Sequence, residues 1–109
     1  MATTPLLTED QRNRGTRLAI TARIQRAQLR KMIREGEISV AAVFDDAEKN
    51  PTGPAARMRP LELLLAVPGI TEGQAHGILT RARVRPQRRL RGLGHRQRDI
   101  IIEATTPGT

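Results

Sequence analysis

The chain has 109 residues, a formal net charge of +8 and 38% hydrophobic residues, which suits one small domain with a modest core. With one Phe, no Tyr and no Trp, it lacks the side chains that stack single-stranded bases or insert into membranes. It has no cysteine, which excludes disulfides and agrees with a reducing compartment. A polyanionic partner is therefore expected, and a nucleic acid duplex is favoured over single strands or a membrane.

The charges are sorted into blocks along the chain. Residues 12–34 contain eight basic and no acidic side chains, 35–72 contain seven acids and three bases, and 73–98 contain eight bases and no acid. Two cationic regions thus flank an acidic middle. Solvated helix faces are the alternative explanation, although scattered solubilising charge is not expected to sort in this way.

The first predicted helix begins after Thr8, which forms a capping-box pattern with Gln11, and it extends to about Glu35, where Gly36 ends it. Apolar residues at roughly helical spacing fall on one stripe of this helix. These residues are Leu18, Ala22, Leu29, Met32 and Ile33. The N-terminal half has few apolar positions and is expected to project as an arm that is ordered only with a partner.

A short second helix is predicted after Ser39, a typical N-cap residue. Its apolar residues repeat at helical spacing. They are Val40, Val43, Phe44 and Ala47. Residues 48–57 are rich in turn formers, including two prolines, and predict a linker. A third helix is expected to begin near Pro60, since proline suits the first helical position.

The Pro-Gly pair at 68–69 predicts a turn, after which Thr71 and Gln74 form the capping-box pattern of a fourth helix. Its expected buried face is made of Ala75, Ile78, Leu79 and Ala82. A last helix is predicted from about His95 to Ala104, with Ile101 and Ile102 inward. No segment alternates with a period of two, so the fold class is expected to be all-α.

The predicted organisation has five parts. They are a disordered tail over 1–7, an arginine-rich long helix with a short second helix over 8–47, a linker over 48–57, a helical domain over 58–105, and a disordered tail over 106–109. The N-terminus lacks the basic segment and apolar core of a signal peptide, and no apolar run is long enough to span a membrane. The chain is therefore expected to stay in the cytoplasm.

The segment RRLRGLGHRQR, residues 88–98, contains five arginines, two glycines and no acid. Leu90 and Leu93 are expected to point inward and anchor it. Glycines let the main chain approach a ligand closely, and guanidinium groups donate to phosphate oxygens. The alternative is a solvated basic loop. The predicted contact residues are Arg88, Arg89, Arg91, Gly92, Gly94, His95, Arg96 and Arg98.

The segment VPGITEGQA, residues 67–75, has the layout of a helix-hairpin-helix, which presents backbone N–H groups to phosphate. It predicts a secondary contact through Gly69, Thr71 and Gln74. Two features oppose this prediction, because Thr71 replaces the usual second glycine and Glu72 adds negative charge. A plain turn between helices therefore stays open as the alternative.

The strings RRLRGLG at 88–94 and LELLLAVPGI at 61–70 resemble the actinobacterial integration host factor family, and the similarity covers nearly the whole chain. The resemblance implies a ribosomal-protein-like helix-two-turns-helix domain after a long helix, and a monomer located in the nucleoid. It implies binding of double-stranded DNA with little sequence preference, DNA bending or compaction, and assistance to a phage integrase. Its DNA-contacting arginines match Arg88, Arg89 and Arg91. Two departures are His95, where the family has an acidic or small polar residue, and a hairpin without the family's lysine.

Two other functions stay open from the sequence. One is an RNA- or ribosome-binding module, because fold does not fix function. The other is an integrase partner that acts through the arginine-rich helix. An enzyme is not expected, since His76 and His95 are isolated and no metal-ligand spacing occurs. No cofactor or metal is expected, and the acidic group Asp45, Asp46 and Glu48 fits a solvated helix face.

Overall fold

The computed structural model describes residues 9–106, with the backbone alone for residues 9–12. The described elements are six α-helices and one 3₁₀ turn, and no strand occurs between residues 9 and 106, which confirms the all-α class. The helices are α1 (Glu9–Arg34), α2 (Val40–Lys49), α3 (Pro54–Arg57), α4 (Pro60–Ala66), α5 (Glu72–Ala82) and α6 (His95–Thr105), and the 3₁₀ turn is Leu90–Gly92. The predicted tail over 1–7, the Thr8 capping box and residues 107–109 lie outside the described residues.

Helix α1 ends in a glycine turn, as predicted. Gly36 has φ +75°, a left-handed conformation that glycine adopts without strain. Its N–H donates to the carbonyl of Ile33 at 3.1 Å, and the N–H of Glu37 donates to the carbonyl of Met32 at 2.8 Å. This pair of bonds satisfies the last carbonyls of α1 and directs the chain back towards the core.

Only the C-terminal part of α1 is packed. Leu29 and Ile33 are buried as predicted, but Leu18 is 66% exposed and Met32 is 38% exposed. The stripe is therefore not buried at Met32, whereas the exposure of Leu18 agrees with the projecting N-terminal half that the sequence predicts. Met32 is turned away because one residue rotates the helix by about 100° from Ile33. Leu18 lies in the projecting half of α1, in a molecule that measures 67 × 27 × 27 Å.

Helix α2 forms as the sequence predicts. The hydroxyl of Ser39 accepts the N–H of Ala42 at 3.1 Å and so caps the first turn. All four residues of the predicted apolar face are buried, and Phe44 is the largest of them. Burying this face stabilises a helix of 10 residues that would not be stable alone.

The segment predicted as a linker, 48–57, is exposed over 48–52 but is packed against the core over 53–56, where a linker was not expected to be buried. It contains the end of α2, a turn in which the N–H of Gly53 donates to the carbonyl of Asn50 at 3.0 Å, and the short helix α3. Ala55 and Ala56 are almost completely buried. Their small side chains let α3 lie close to its neighbours, which include α1 and α2.

Helices α4 and α5 are joined by the turn at Pro68 and Gly69, where Gly69 has φ +84°. The predicted capping box is confirmed: the Thr71 hydroxyl accepts the Gln74 N–H at 3.2 Å, and the Gln74 side chain accepts the Thr71 N–H at 2.9 Å. The four predicted apolar residues of α5 are all buried. A single hydrophobic core includes residues of α1 to α6. Within residues 9–106, no helix is long and apolar enough to cross a membrane.

The methionines provide a test of this core. Met58 follows α3 and is fully buried, so Met58→Ala should lower the free energy of unfolding by about 2–5 kcal/mol. Met32→Ala, at an exposed position on α1, is the matched control and should cost less than about 1 kcal/mol. Urea denaturation measures the free energy of unfolding of both variants. Equal decreases in the two variants would contradict the burial of Met58 after α3.

Candidate nucleic-acid interface

The basic segment over 88–98 is anchored from below by two leucines. Leu90 and Leu93 are 1% and 5% exposed, which confirms that they point inward. The N–H of Leu90 also donates to the carbonyl of Met58 at 2.9 Å. The arginines beside the leucines are consequently directed outward from a fixed backbone.

Three arginines of this segment are held by backbone carbonyls. Arg88 donates to Gly92 at 3.4 Å, Arg89 donates to Arg57 at 2.7 Å, and Arg91 donates to Pro51 at 3.5 Å. Each bond uses one N–H of a guanidinium group that has five, so further donors stay available to a ligand.

These arginines are not neutralised by nearby acids. Among the described residues, no carboxylate lies within ion-pair distance of Arg88, Arg89 or Arg91. Their charge is therefore available to an external anion.

Four arginines from three parts of the chain surround one cavity of about 320 Å³. They are Arg26 of α1, Arg57 of α3, and Arg89 and Arg91 of the basic segment. We call this the four-arginine pocket. Like charges repel one another at short range, and an anion with several oxygens relieves that repulsion while accepting forked hydrogen bonds.

Arg26 and Arg57 were not predicted as site residues. Arg26 lies in the cationic block 12–34, in which no local pattern sets it apart from the other basic residues. Arg57 lies in the segment that was predicted as a linker. Both reach the pocket through the packing of α1 and α3, which no local sequence pattern specifies.

Gly92 and Gly94 are not required by the backbone conformation. Neither has a positive φ. A Cβ atom at Gly92 would meet nothing closer than Arg88 Nη1 at 3.6 Å, and one at Gly94 nothing closer than the Gln97 side chain at 3.9 Å. The isolated fold thus accepts a side chain at both positions, so a need for glycine would come from the close approach of a ligand.

The last three predicted residues lie in the first turn of α6 and differ from one another. His95 and Arg96 are exposed. The Arg98 side chain is only 16% exposed, and its Nη1 lies 3.3 Å from Glu48 Oε2. The sequence predicts Arg98 as a cation without an acidic partner. In the structure Arg98 faces the end of α2 and pairs with the Glu48 carboxylate, which contradicts that part of the prediction.

The hairpin residues Gly69, Thr71 and Gln74 are exposed at the start of α5. The side chains of Thr71 and Gln74 accept each other's backbone N–H, so the donors left at this helix start are the main-chain N–H groups of Glu72 and Gly73 and the amide nitrogen of Gln74. Glu72 stands in the first turn of α5, 3.9 Å from His76, where a carboxylate already complements the helix dipole.

Two acidic residues of α2, Asp45 and Glu48, form ion pairs. Asp45 contacts Lys49 at 2.9 Å, and its hydrogen bond raises the pKa of Lys49 above the usual range. Glu48 contacts Arg98, as described above. Across the part of the chain that the structure describes, no three metal-ligating side chains converge. Elsewhere, Glu62 of α4 pairs with Arg30 of α1.

Comparison with known proteins agrees with this architecture. The model of the S13-like H2TH domain matches residues 33–104. The chain is 36% identical over 99 residues to the integration host factor of Mycobacterium tuberculosis, which covers 91% of this chain and 92% of that protein. The chain belongs to the actinobacterial integration host factor family.

Further proteins are also similar over most of the chain. The integration host factor of Mycolicibacterium smegmatis is also 36% identical over 99 residues. That of Streptomyces coelicolor is 30% identical over 93 residues, with 85% of each chain covered. The solved structure of sIHF bound to an 8-base-pair palindromic DNA superposes with a TM-score of 0.75 at 26% identity, over 82% of this chain and 98% of that one. The predicted family and its helix-two-turns-helix domain are thereby confirmed.

Proposed function

We propose that this family member is a nucleoid-associated architectural protein that binds double-stranded DNA through the phosphate backbone. The observation that supports this proposal most directly is the four-arginine pocket, which lies between the anchored loop, α1 and α3 and has no carboxylate partner among the described residues. The DNA-bound relative sIHF adds support from the same fold. In this proposal the protein acts by binding and does not catalyse a reaction.

The affinity comes mainly from arginine–phosphate pairs and from the counterions that those pairs release. Arg89 and Arg91 are already held by carbonyls of Arg57 and Pro51, so less side-chain entropy is lost when a phosphate binds. Because these donors read phosphates and not base edges, the proposal includes low sequence specificity.

The proposed contact surface extends beyond the predicted segment. It combines the four-arginine pocket with the exposed residues of the loop and of the first turn of α6. The added loop and helix residues are Arg88, Gly92, Gly94, His95 and Arg96. The hairpin at Gly69, Thr71 and Gln74 is a weaker second contact, in which the Gln74 amide nitrogen and the free main-chain N–H groups of the first turn of α5 meet a phosphate despite the charge of Glu72.

Bending and compaction of DNA follow from the same surface in this proposal. Arg26 places α1 at the edge of the pocket, and exposed Arg23 lies almost one turn further out along the helix. A straight duplex that contacts the loop gains further phosphate contacts if it curves towards α1. The added contacts would offset the elastic cost of bending.

Assistance to a phage integrase is a second proposed role, supported by one observation. The projecting part of α1 exposes three large apolar side chains, Leu18, Ile20 and Ile24. Since Leu29 and Ile33 belong to the core, a test by truncation must leave them in place. Removing residues 1–20 should spare duplex affinity and impair assembly with an integrase.

Simultaneous replacement of Arg88, Arg89 and Arg91 by Ala should lower duplex affinity at least about 100-fold, since each charge-assisted hydrogen bond contributes about 1.5–3 kcal/mol. The melting temperature should change little, because these side chains lie outside the core. Gel-shift titration measures the affinity. The charge-matched control replaces Arg81, Arg83 and Arg85 by Ala, and equal losses in both triple variants would contradict the site.

Affinity for duplex DNA should fall steeply with salt, with a slope that corresponds to about five to eight phosphates. Fluorescence anisotropy from low to moderate salt measures this slope. A flat dependence would contradict backbone binding.

Competition by structured RNA in the same titrations separates DNA from the alternative partner, because a ribosomal or RNA-binding module would prefer the RNA.

Gly92→Ala should leave the fold intact and weaken duplex binding, because the added methyl fits the free protein and obstructs a phosphate that approaches the main chain. Gly77→Ala, on exposed α5 with open space around it, is the matched control and should leave affinity unchanged. Circular dichroism and anisotropy together test the prediction. Unaltered binding by Gly92→Ala would show that the backbone there stays away from DNA.

A further inference from the structure

A chain of three polar side chains links the end of α2 to the start of α6. Glu48 Oε2 lies 3.3 Å from Arg98 Nη1, and Arg98 Nη2 lies 3.1 Å from Nδ1 of His95. Arg98 is the least exposed member, with 16% of its side chain accessible. Its Nε is buried and has no hydrogen-bond partner in the described part of the chain.

The chemistry of these groups fixes the role of each ring nitrogen in His95. Arginine can only donate hydrogen bonds, so Nδ1 of His95 must be the acceptor in this contact. In the neutral ring the proton then lies on Nε2, which becomes a donor. The partner of one ring nitrogen thus decides what the other can do.

The same geometry argues against a direct phosphate contact by Arg98. One terminal nitrogen is engaged by Glu48 and the other by His95, and Nε is enclosed. With only 16% of the side chain accessible and a carboxylate beside it, the guanidinium group of Arg98 is a poor site for a phosphate. His95, in contrast, is exposed and follows directly after Gly94.

We propose that Arg98 is a positioning residue that, held by Glu48, orients the His95 ring and keeps its Nε2–H available to donate to a DNA phosphate. This inference rests on the proposed duplex binding and adds His95 as a neutral donor beside the charged arginines. It assigns different roles to arginines of one continuous segment.

The test is a pair of substitutions that leaves the net charge at +8, because it removes one acid and one base. Glu48→Gln combined with Arg98→Met should lower duplex affinity about three- to tenfold, the range for loss of one hydrogen bond. Asp45→Asn combined with Lys49→Met is the matched control, since it removes an exposed ion pair of the same helix. The control should not change affinity.

A double-mutant cycle separates positioning from direct contact. In a His95→Ala background, the Glu48 and Arg98 substitutions should have no further effect on affinity, whereas Arg91→Met should weaken binding in both backgrounds. The inference would be overturned if Glu48→Gln combined with Arg98→Met weakened binding in the His95→Ala background as much as it does when His95 is present. His95→Gln, which carries an amide donor, should recover part of the affinity that His95→Ala loses.

Ring nitrogen NMR of the unsubstituted protein gives a readout that does not depend on the stability of any variant. In neutral His95, Nδ1 should be unprotonated, and Nε2–H should become protected from exchange when a short duplex is added. A protonated Nδ1 would overturn the inference. If the unsubstituted protein does not bind duplex at all, the proposed function fails instead, and the two outcomes are distinguishable.

Discussion

The structure depends on the way the backbone at Leu90 is joined to the core. One main-chain hydrogen bond from Leu90 to Met58, together with the burial of Leu90 and Leu93, fixes a loop that would otherwise be held at its ends alone. The conformational entropy of the loop is therefore lost during folding and is not lost again on binding. A mobile basic loop with the same charges would bind an anion more weakly.

The second constraint is the position of the acidic side chains relative to the basic loop. The middle of the sequence is acidic, and a fold that placed those carboxylates beside the loop would cancel its charge. Instead, Glu62 is paired with Arg30, and Glu48 is paired with Arg98 on the inner side of α6. The repulsion among the arginines of the four-arginine pocket is then tolerated because the apolar core beneath them supplies the stability.

Local signals were enough for much of the fold. The caps at Ser39 and Thr71 and the inward Leu90 and Leu93 were predicted because each is decided within a few residues. The pocket was only half predicted. Arg26 and Arg57 join it through contacts between distant segments, and the short helix α3 forms because small alanines fit a space that its neighbours create.

The predictions that failed share one physical cause. Hydrophobic and charge patterns show which face of an element could be buried or could bind, but they do not show which residues of that face other elements cover. Met32 fits the stripe of α1 and is exposed because the helix turns it away from the core, and Arg98 fits a basic string and is withdrawn because α2 lies opposite it. Identical side chains in one segment therefore acquire different tasks from their surroundings, so a count of arginines overestimates the donors that DNA can meet.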